Sequence, residues 1–215
     1  MATIKHHLSD ALLMAYSAGA LPEAFNLVVA THISMCDDCR ARMESFDSVG
    51  GAVLDTCDSA AVSDDSLAAT LALIAAAPVD HKRPAPRPAG LFPAPLRDYV
   101  GGDLDSVRWK KLGGGVSQYL LDTSRDATVR LLHIPAGRAV PDHGHRGTEL
   151  TLVLQGAFLD GKDRFARGDI EIADEDLEHT PVADIGEDCI CLAATDARLR
   201  FNKLIPRIAQ PFIGM

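Results

Sequence analysis

The sequence predicts an α + β chain in two parts, a small all-α half followed by an all-β half. Three observations predict it. Apolar residues recur at helical intervals up to residue 77, then in short β-branched or Leu-rich runs from residue 96 onward. Six of the twelve prolines fall between Pro78 and Pro95, in "PVDHKRPAPRPAGLFPAP". Proline blocks helix continuation and favours extended chain, so this stretch reads as a semi-rigid linker. Charge divides at the same place. Residues 1–80 hold three basic side chains (Lys5, Arg40, Arg42) against eleven acidic ones, while the remainder is nearly balanced, with 18 against 19. The expected organisation is a helical domain at 1–77, a linker at 78–95 and a β domain at 96–215.

The elements follow in order. Ser9 can cap a short helix that presents Leu12, Leu13 and Tyr16 on one side and stops at Gly19. A second helix is expected near Pro22, with Glu23 beside the positive end of its dipole, running through "EAFNLVVATHIS". A third covers Asp38 to Leu54, with Met43, Phe46 and Val49 on one face. A fourth covers Asp64 to Ala77, with Leu67, Leu71 and Ile74 at i, i+4 and i+7. The second half contains "TVRLLHIPAG", "ELTLVLQGAFLD", "GDIEIAD", "CICLAATD" and "RLRFNKLI". Many short strands broken by Gly, Asp and Pro argue for a sandwich or small barrel. There is no internal repeat.

Bulk composition narrows the function. The 215 residues are 47% hydrophobic and 24% charged, with a net charge of -9. An acidic front half repels phosphate backbones and attracts basic surfaces, so a basic protein partner is expected there and direct nucleic-acid binding is not. The start, "MATIKHHLSD", is polar, and the longest apolar run, Leu67 to Val79, is too short and Ala-rich for a bilayer span. A cytoplasmic protein without membrane contact is the expectation. There, closely spaced Cys and His favour metal or redox chemistry.

The stretch "HISMCDDC" places His32, Cys36 and Cys39 as His-x3-Cys-x2-Cys. His32 and Cys36 fall on one helical face, and the CxxC lets two thiolates reach one ion. Zinc takes four N/S ligands in a tetrahedron, and the fourth would come from His6 or His7. A thioredoxin-type redox pair is the competing reading, but no βαβ pattern surrounds the CxxC. Buried cysteines acting as small hydrophobes are the other. A small acidic helical module with this motif resembles the zinc-binding anti-sigma domain. The resemblance implies that His32, Cys36 and Cys39 are ligands, with His7 the choice for the fourth. It also implies that the module binds an extracytoplasmic-function (ECF) sigma factor and holds it off RNA polymerase.

A second constellation lies in "GRAVPDHGHRGTELTLVLQG". His143 and His145 share a strand face, Glu149 follows, and Gly137 and Gly156 flank them. His179, after the Gly168-Asp169 turn, is the candidate fourth ligand. Three imidazoles and a carboxylate can hold zinc, iron, manganese or nickel. Scattered solvated histidines are the bland alternative. The spacing resembles the cupin fold, a double-sheet jelly roll, and fits the first cupin motif at every position. In the second motif, Ala166 replaces the usual proline and Ala183 the usual asparagine. The whole chain resembles the ChrR-type anti-sigma factors: an all-α zinc-binding domain followed by an all-β cupin. That resemblance implies that the cupin is needed for release under singlet oxygen or related oxidants, and that it holds a second divalent metal, expected to be zinc. It implies no catalytic residue. A metal-dependent cupin enzyme, dioxygenase- or hydrolase-like, is the alternative.

Other residues carry less. Cys189 and Cys191 share a strand face and are expected to pack, with oxidant sensing as the minority view. Cys57 lies in a polar stretch and is expected to be exposed. The Leu67, Leu71 and Ile74 stripe is either core or a partner-docking face in the helix-in-groove manner.

Overall fold

The computed structural model describes residues 3–77, 90–140, 143–144, 146–175, 178–197 and 200–201; the side chains of residues 143, 200 and 201 lie outside that description. Four helices form the front half: α1 (Asp10–Ser17), α2 (Glu23–Ile33), α3 (Asp37–Leu54) and α4 (Ser66–Ala76). Local chemistry explains their starts. The Ser9 hydroxyl accepts the Leu12 N–H and caps α1. Pro22 precedes α2, and Glu23 sits in its first turn. Cys36 caps α3 with its own sulfur, which accepts the Cys39 N–H at 3.5 Å, and Asp37 and Asp38 complement the dipole there.

Residues 78–89 of the expected linker lie outside the described residues. From Leu91 onward the chain is packed: Asp103 accepts the N–H groups of Leu91 and Phe92 at 3.1 and 3.3 Å, and Phe92 is buried. A fifth helix that periodicity did not reveal, α5 (Ala94–Val100), begins directly after Pro93.

Beyond α5, the described strand pairs are all antiparallel. In chain order the strands are β1 (Lys110–Gly113), β2 (Val116–Leu120), β3 (Thr128–Ile134), β4 (His143–Gly144), β5 (Glu149–Gln155) and β6 (Ala157–Asp160). They continue as β7 (Asp163–Ala166), β8 (Ile170–Ala173), β9 (Glu178–His179), β10 (Val182–Ala183), β11 (Cys189–Thr195) and β12 (Arg200–Phe201). A six-stranded sheet has the order β1-β2-β3-β11-β5-β8, and two three-stranded sheets have the orders β10-β6-β7 and β12-β4-β9. The run "ELTLVLQGAFLD" is therefore not one strand. It breaks at Gly156, whose φ of +67° turns the chain from one sheet to another. A Cβ there would meet the Asp188 carbonyl at 2.6 Å, so only glycine fits without displacement.

The layers are stacked. One face of the six-stranded sheet packs on the β10-β6-β7 sheet through Val116, Ile134, Val153, Cys189, Cys191, Phe158 and Phe165. The other face, with Leu131, Leu150, Leu152, Ile190 and Leu192, shares a single core with Phe25, Leu27, Val28 and Val29 of α2 and with Leu96 of α5. The helical and β halves are thus joined by apolar packing. Glu23 reinforces the joint: its carboxylate accepts the Tyr99 hydroxyl at 2.8 Å and the Ser124 N–H at 2.7 Å. Strand β11 is buried from end to end because both its faces are covered, which is why "CICLAAT" reads as an unbroken apolar run.

Leu192→Ala removes a buried side chain at the helix–sheet joint and is expected to destabilise the chain by about 2–5 kcal/mol. Because the core is shared, helical circular dichroism and Trp109 fluorescence should then fall in one coincident denaturant transition.

Candidate functional site

His32 lies in the last turn of α2 and Cys36 and Cys39 at the start of α3, so one tight turn brings them together. The Cys36 N–H donates to the His32 carbonyl at 2.9 Å. His7 enters from the segment before α1. Its Nδ1 lies 3.3 Å from Cys36 Sγ and 3.6 Å from Cys39 Sγ. One ligand atom from each of the four residues falls within 4.8 Å of the others. A zinc tetrahedron with S and N ligands has edges of roughly 3.3–3.8 Å, so the spacing suits such an ion.

Burial makes the same point energetically. Both ring nitrogens of His32 are buried without a hydrogen-bond partner. Burial pulls its pKa down to about 4, so the ring is neutral and has a lone pair to offer. Burial, reinforced by neighbouring Cys36, pushes the Cys39 thiol up to about 11. A cation at the centre would satisfy the orphaned nitrogen and favour the thiolates. Arg42 adds positive charge at the rim: it reaches Cys39 Sγ at 3.9 Å and is held by Asp10 at 3.0 Å. His6 points elsewhere. Its ring lies tilted against Phe165 with centroids 4.2 Å apart, and its Nδ1 is 3.6 Å from Asp169.

The barrel interior holds a second polar group. His179 is buried, its Nδ1 is 2.9 Å from Asp160 Oδ2 and 3.9 Å from Glu171 Oε1, and these three also fall within 4.8 Å. Burial, with Asp160 alongside, raises Glu171 to about 8, so it is a neutral acid at pH 7. Asp160 Oδ2 is placed to accept from His179 Nδ1, and in that tautomer Nε2 would be the lone-pair nitrogen. His179 pairs across the ladder with His143. Glu149 lies on β5 and accepts the Thr151 hydroxyl at 3.1 Å. His145 and the side chain of His143 lie outside the described residues. Arg130 is buried in the same sheet, against Gln118 at 3.2 Å, and burial lowers its pKa.

The ChrR Cupin-like domain family matches residues 98–198. Over 210 residues, 98% of each chain, this chain is 60% identical to the Anti-sigma-E factor ChrR of Cereibacter sphaeroides. This chain belongs to the ChrR family of anti-sigma factors. The crystal structure of Rhodobacter sphaeroides SigE in complex with the anti-sigma ChrR matches with a TM-score of 0.80 and 59% identity, covering 90% of this chain and 100% of that chain. The role of an anti-sigma factor is regulatory rather than enzymatic. Among the described residues, no helix is long and apolar enough to cross a membrane.

Set against the sequence, the structure gathers His7, His32, Cys36 and Cys39, and turns His6 away from them. Cys189 and Cys191 are buried with sulfurs 3.4 Å apart. Their mutual hydrogen bond and burial push the Cys191 thiol well above the ordinary range, so it has little thiolate character at neutral pH. Cys57 is exposed. His133 pairs with Asp188 at 2.9 Å. Asp160 and Glu171, which cluster with His179, belong to no sequence motif. The only trace of Glu171 is its place between two isoleucines in "DIEIAD", an alternation that ordinarily marks a solvent-facing carboxylate.

His7→Ala is expected to abolish the thiolate-to-metal absorption of the cobalt-substituted chain. His6→Phe, which keeps the ring on Phe165, should retain it. The reverse pattern would reassign the fourth ligand.

Proposed function

We propose that this chain is a cytoplasmic anti-sigma factor. It grips an ECF sigma factor, masks the surface that factor uses to reach RNA polymerase, and releases it through the cupin half under singlet oxygen or related oxidants. The observation that carries the reading is the 60% identity that runs through 98% of both chains to Anti-sigma-E factor ChrR.

The surface supports it. Helix α4 buries none of its residues, and Leu67, Leu71 and Ile74 are 72%, 56% and 65% exposed. Leu73 and, at the end of α3, Val49, Val53 and Leu54 are exposed as well. Val49 therefore does not join the Met43 and Phe46 face in the core. So much uncovered apolar surface on two helices calls for a covering partner. The acidic excess around it suits a basic one. Docking of α4 in an apolar groove of the sigma factor follows the helix-in-groove mode.

The proposed division of labour is a helical clamp at 1–77, a linker at 78–95 and a cupin at 96–215. His7, His32, Cys36 and Cys39 would hold zinc. Structural zinc supplies on the order of 10 kcal/mol or more of folding free energy, and a clamp of this size buries little apolar surface of its own. In the cupin, His143, His145, Glu149 and His179 would hold a second divalent metal, zinc in this reading, with Asp160 fixing the His179 tautomer. For release, a change at the cupin must favour the released state by several kcal/mol.

Co-expression with candidate sigma factors tests the clamp. The parent should co-purify with one of them. Leu71→Asp/Ile74→Asp should weaken that grip at least about tenfold, while its exposed positions leave stability nearly unchanged. Cys36→Ser/Cys39→Ser should lose it. If the cysteine variant co-purifies as well as the parent, zinc-organised clamping is wrong. Glu149→Gln/His179→Ala should keep its grip and fail to let go under oxidant; release at the parent's rate would remove the cupin from the mechanism.

A further inference from the structure

His7 sits on residues 4–8, a segment that belongs to no helix or strand. The sheet half holds it. Asp169, in the turn between β7 and β8, is almost fully buried, and its Oδ1 accepts the N–H of Lys5 at 2.6 Å and of His6 at 3.0 Å. Its Oδ2 accepts the Ala166 N–H at 2.8 Å, which anchors the carboxylate in its own turn. The Ile170 N–H donates back to the His6 carbonyl at 3.3 Å. Ile4 covers Gly168 so closely that a Cβ there would lie 2.7 Å from its side chain. The segment is therefore fastened like a short extra strand, and His7 is the next residue along.

The same turn faces the other imidazole of the tetrad. The Gly168 backbone lies beside the His32 ring. It falls outside normal hydrogen-bond geometry, since both His32 nitrogens lack a partner within it. A metal-bound histidine ordinarily gives its remaining N–H to a carbonyl or carboxylate, which sets its tautomer and ring orientation.

We propose that the Gly168–Asp169 turn of the cupin is the outer support of the zinc tetrad in the helical half. Asp169 positions His7 through the amides of Lys5 and His6, and the Gly168 carbonyl takes the His32 ring N–H when the other nitrogen binds the ion. Zinc retention in the clamp then depends on a loop of the other half. The dependence has a direct route, because Glu171, two residues beyond Asp169, reaches the Asp160 and His179 cluster in the barrel. The inference rests on the reading of the tetrad as a metal site.

The test uses the full chain loaded with cobalt, whose thiolate charge-transfer band reports the cysteine site alone. Excess EDTA is added and loss of the band is timed. Asp169→Ala should lose cobalt about 10–100-fold faster than the parent, the range for outer-shell partners. Asp169→Asn should fall between them, because its amide oxygen still accepts from Lys5 and His6. Ile4→Ala, which loosens the segment without touching a carboxylate, should also speed the loss and carries the test if Asp169→Ala does not fold. If the Asp169→Asn and Ile4→Ala chains fold and lose cobalt at the parent's rate, the inference is overturned. If the parent itself shows no thiolate–cobalt band, it is the tetrad reading that fails.

Discussion

The structure depends on the burial of α2. This helix is covered nearly all round: Phe25, Leu27, Val28 and Val29 share a core with the six-stranded sheet, and its C-terminal end delivers His32 to the tetrad. A helix with so little polar surface cannot stand alone in water, so the sheet and the other helices must enclose it. The sheet likewise presents Leu131, Leu150, Leu152 and Leu192 on a face that α2 helps to cover. Each half completes the other's core. The two polar sites are therefore built against a common apolar layer rather than in isolated modules.

Burial also governs the chemistry of those sites. In the tetrad it leaves a neutral imidazole with two unsatisfied nitrogens beside a thiol whose ionisation is suppressed. Such a cluster is unfavourable until a cation draws out the thiolates. In the cupin half it yields a neutral Glu171 beside Asp160, whose carboxyl holds His179 Nδ1 at 2.9 Å. In one place burial creates demand for an ion, and in the other it orients a prospective ligand. The uncovered leucines of α4 are the opposite case, apolar surface that the chain does not bury for itself.

Much of this was legible in the residues. The 3.6-residue period, Ser9 and Pro22 located four helices to within a residue or two of their observed starts. The His-x3-Cys-x2-Cys spacing marked three members of the tetrad, because a helix end followed by a one-turn connection is a local arrangement. Local rules did not reach α5, whose seven residues are too few for a periodic signal and follow a proline-rich run. They did not separate β5 from β6, since a turn through Gly156 looks like any glycine within a strand-like run. They also left His6 and His7 open, as neighbours in sequence are equally near in every local sense.

The sequence by itself determined the class of each half and the order of the two, and it nominated candidate metal-binding residues, because periodicity, charge and ligand spacing are properties of short stretches. Only the tertiary structure decided what those stretches face. It stacked three layers, so that Glu171 is buried rather than solvated. It set His6 against Phe165 and Asp169, leaving His7 to meet the cysteines. It joined residues 4–8 to a turn some 160 positions away. Contacts between residues so far apart depend on how the sheet's two faces are covered, and no local pattern carries that information.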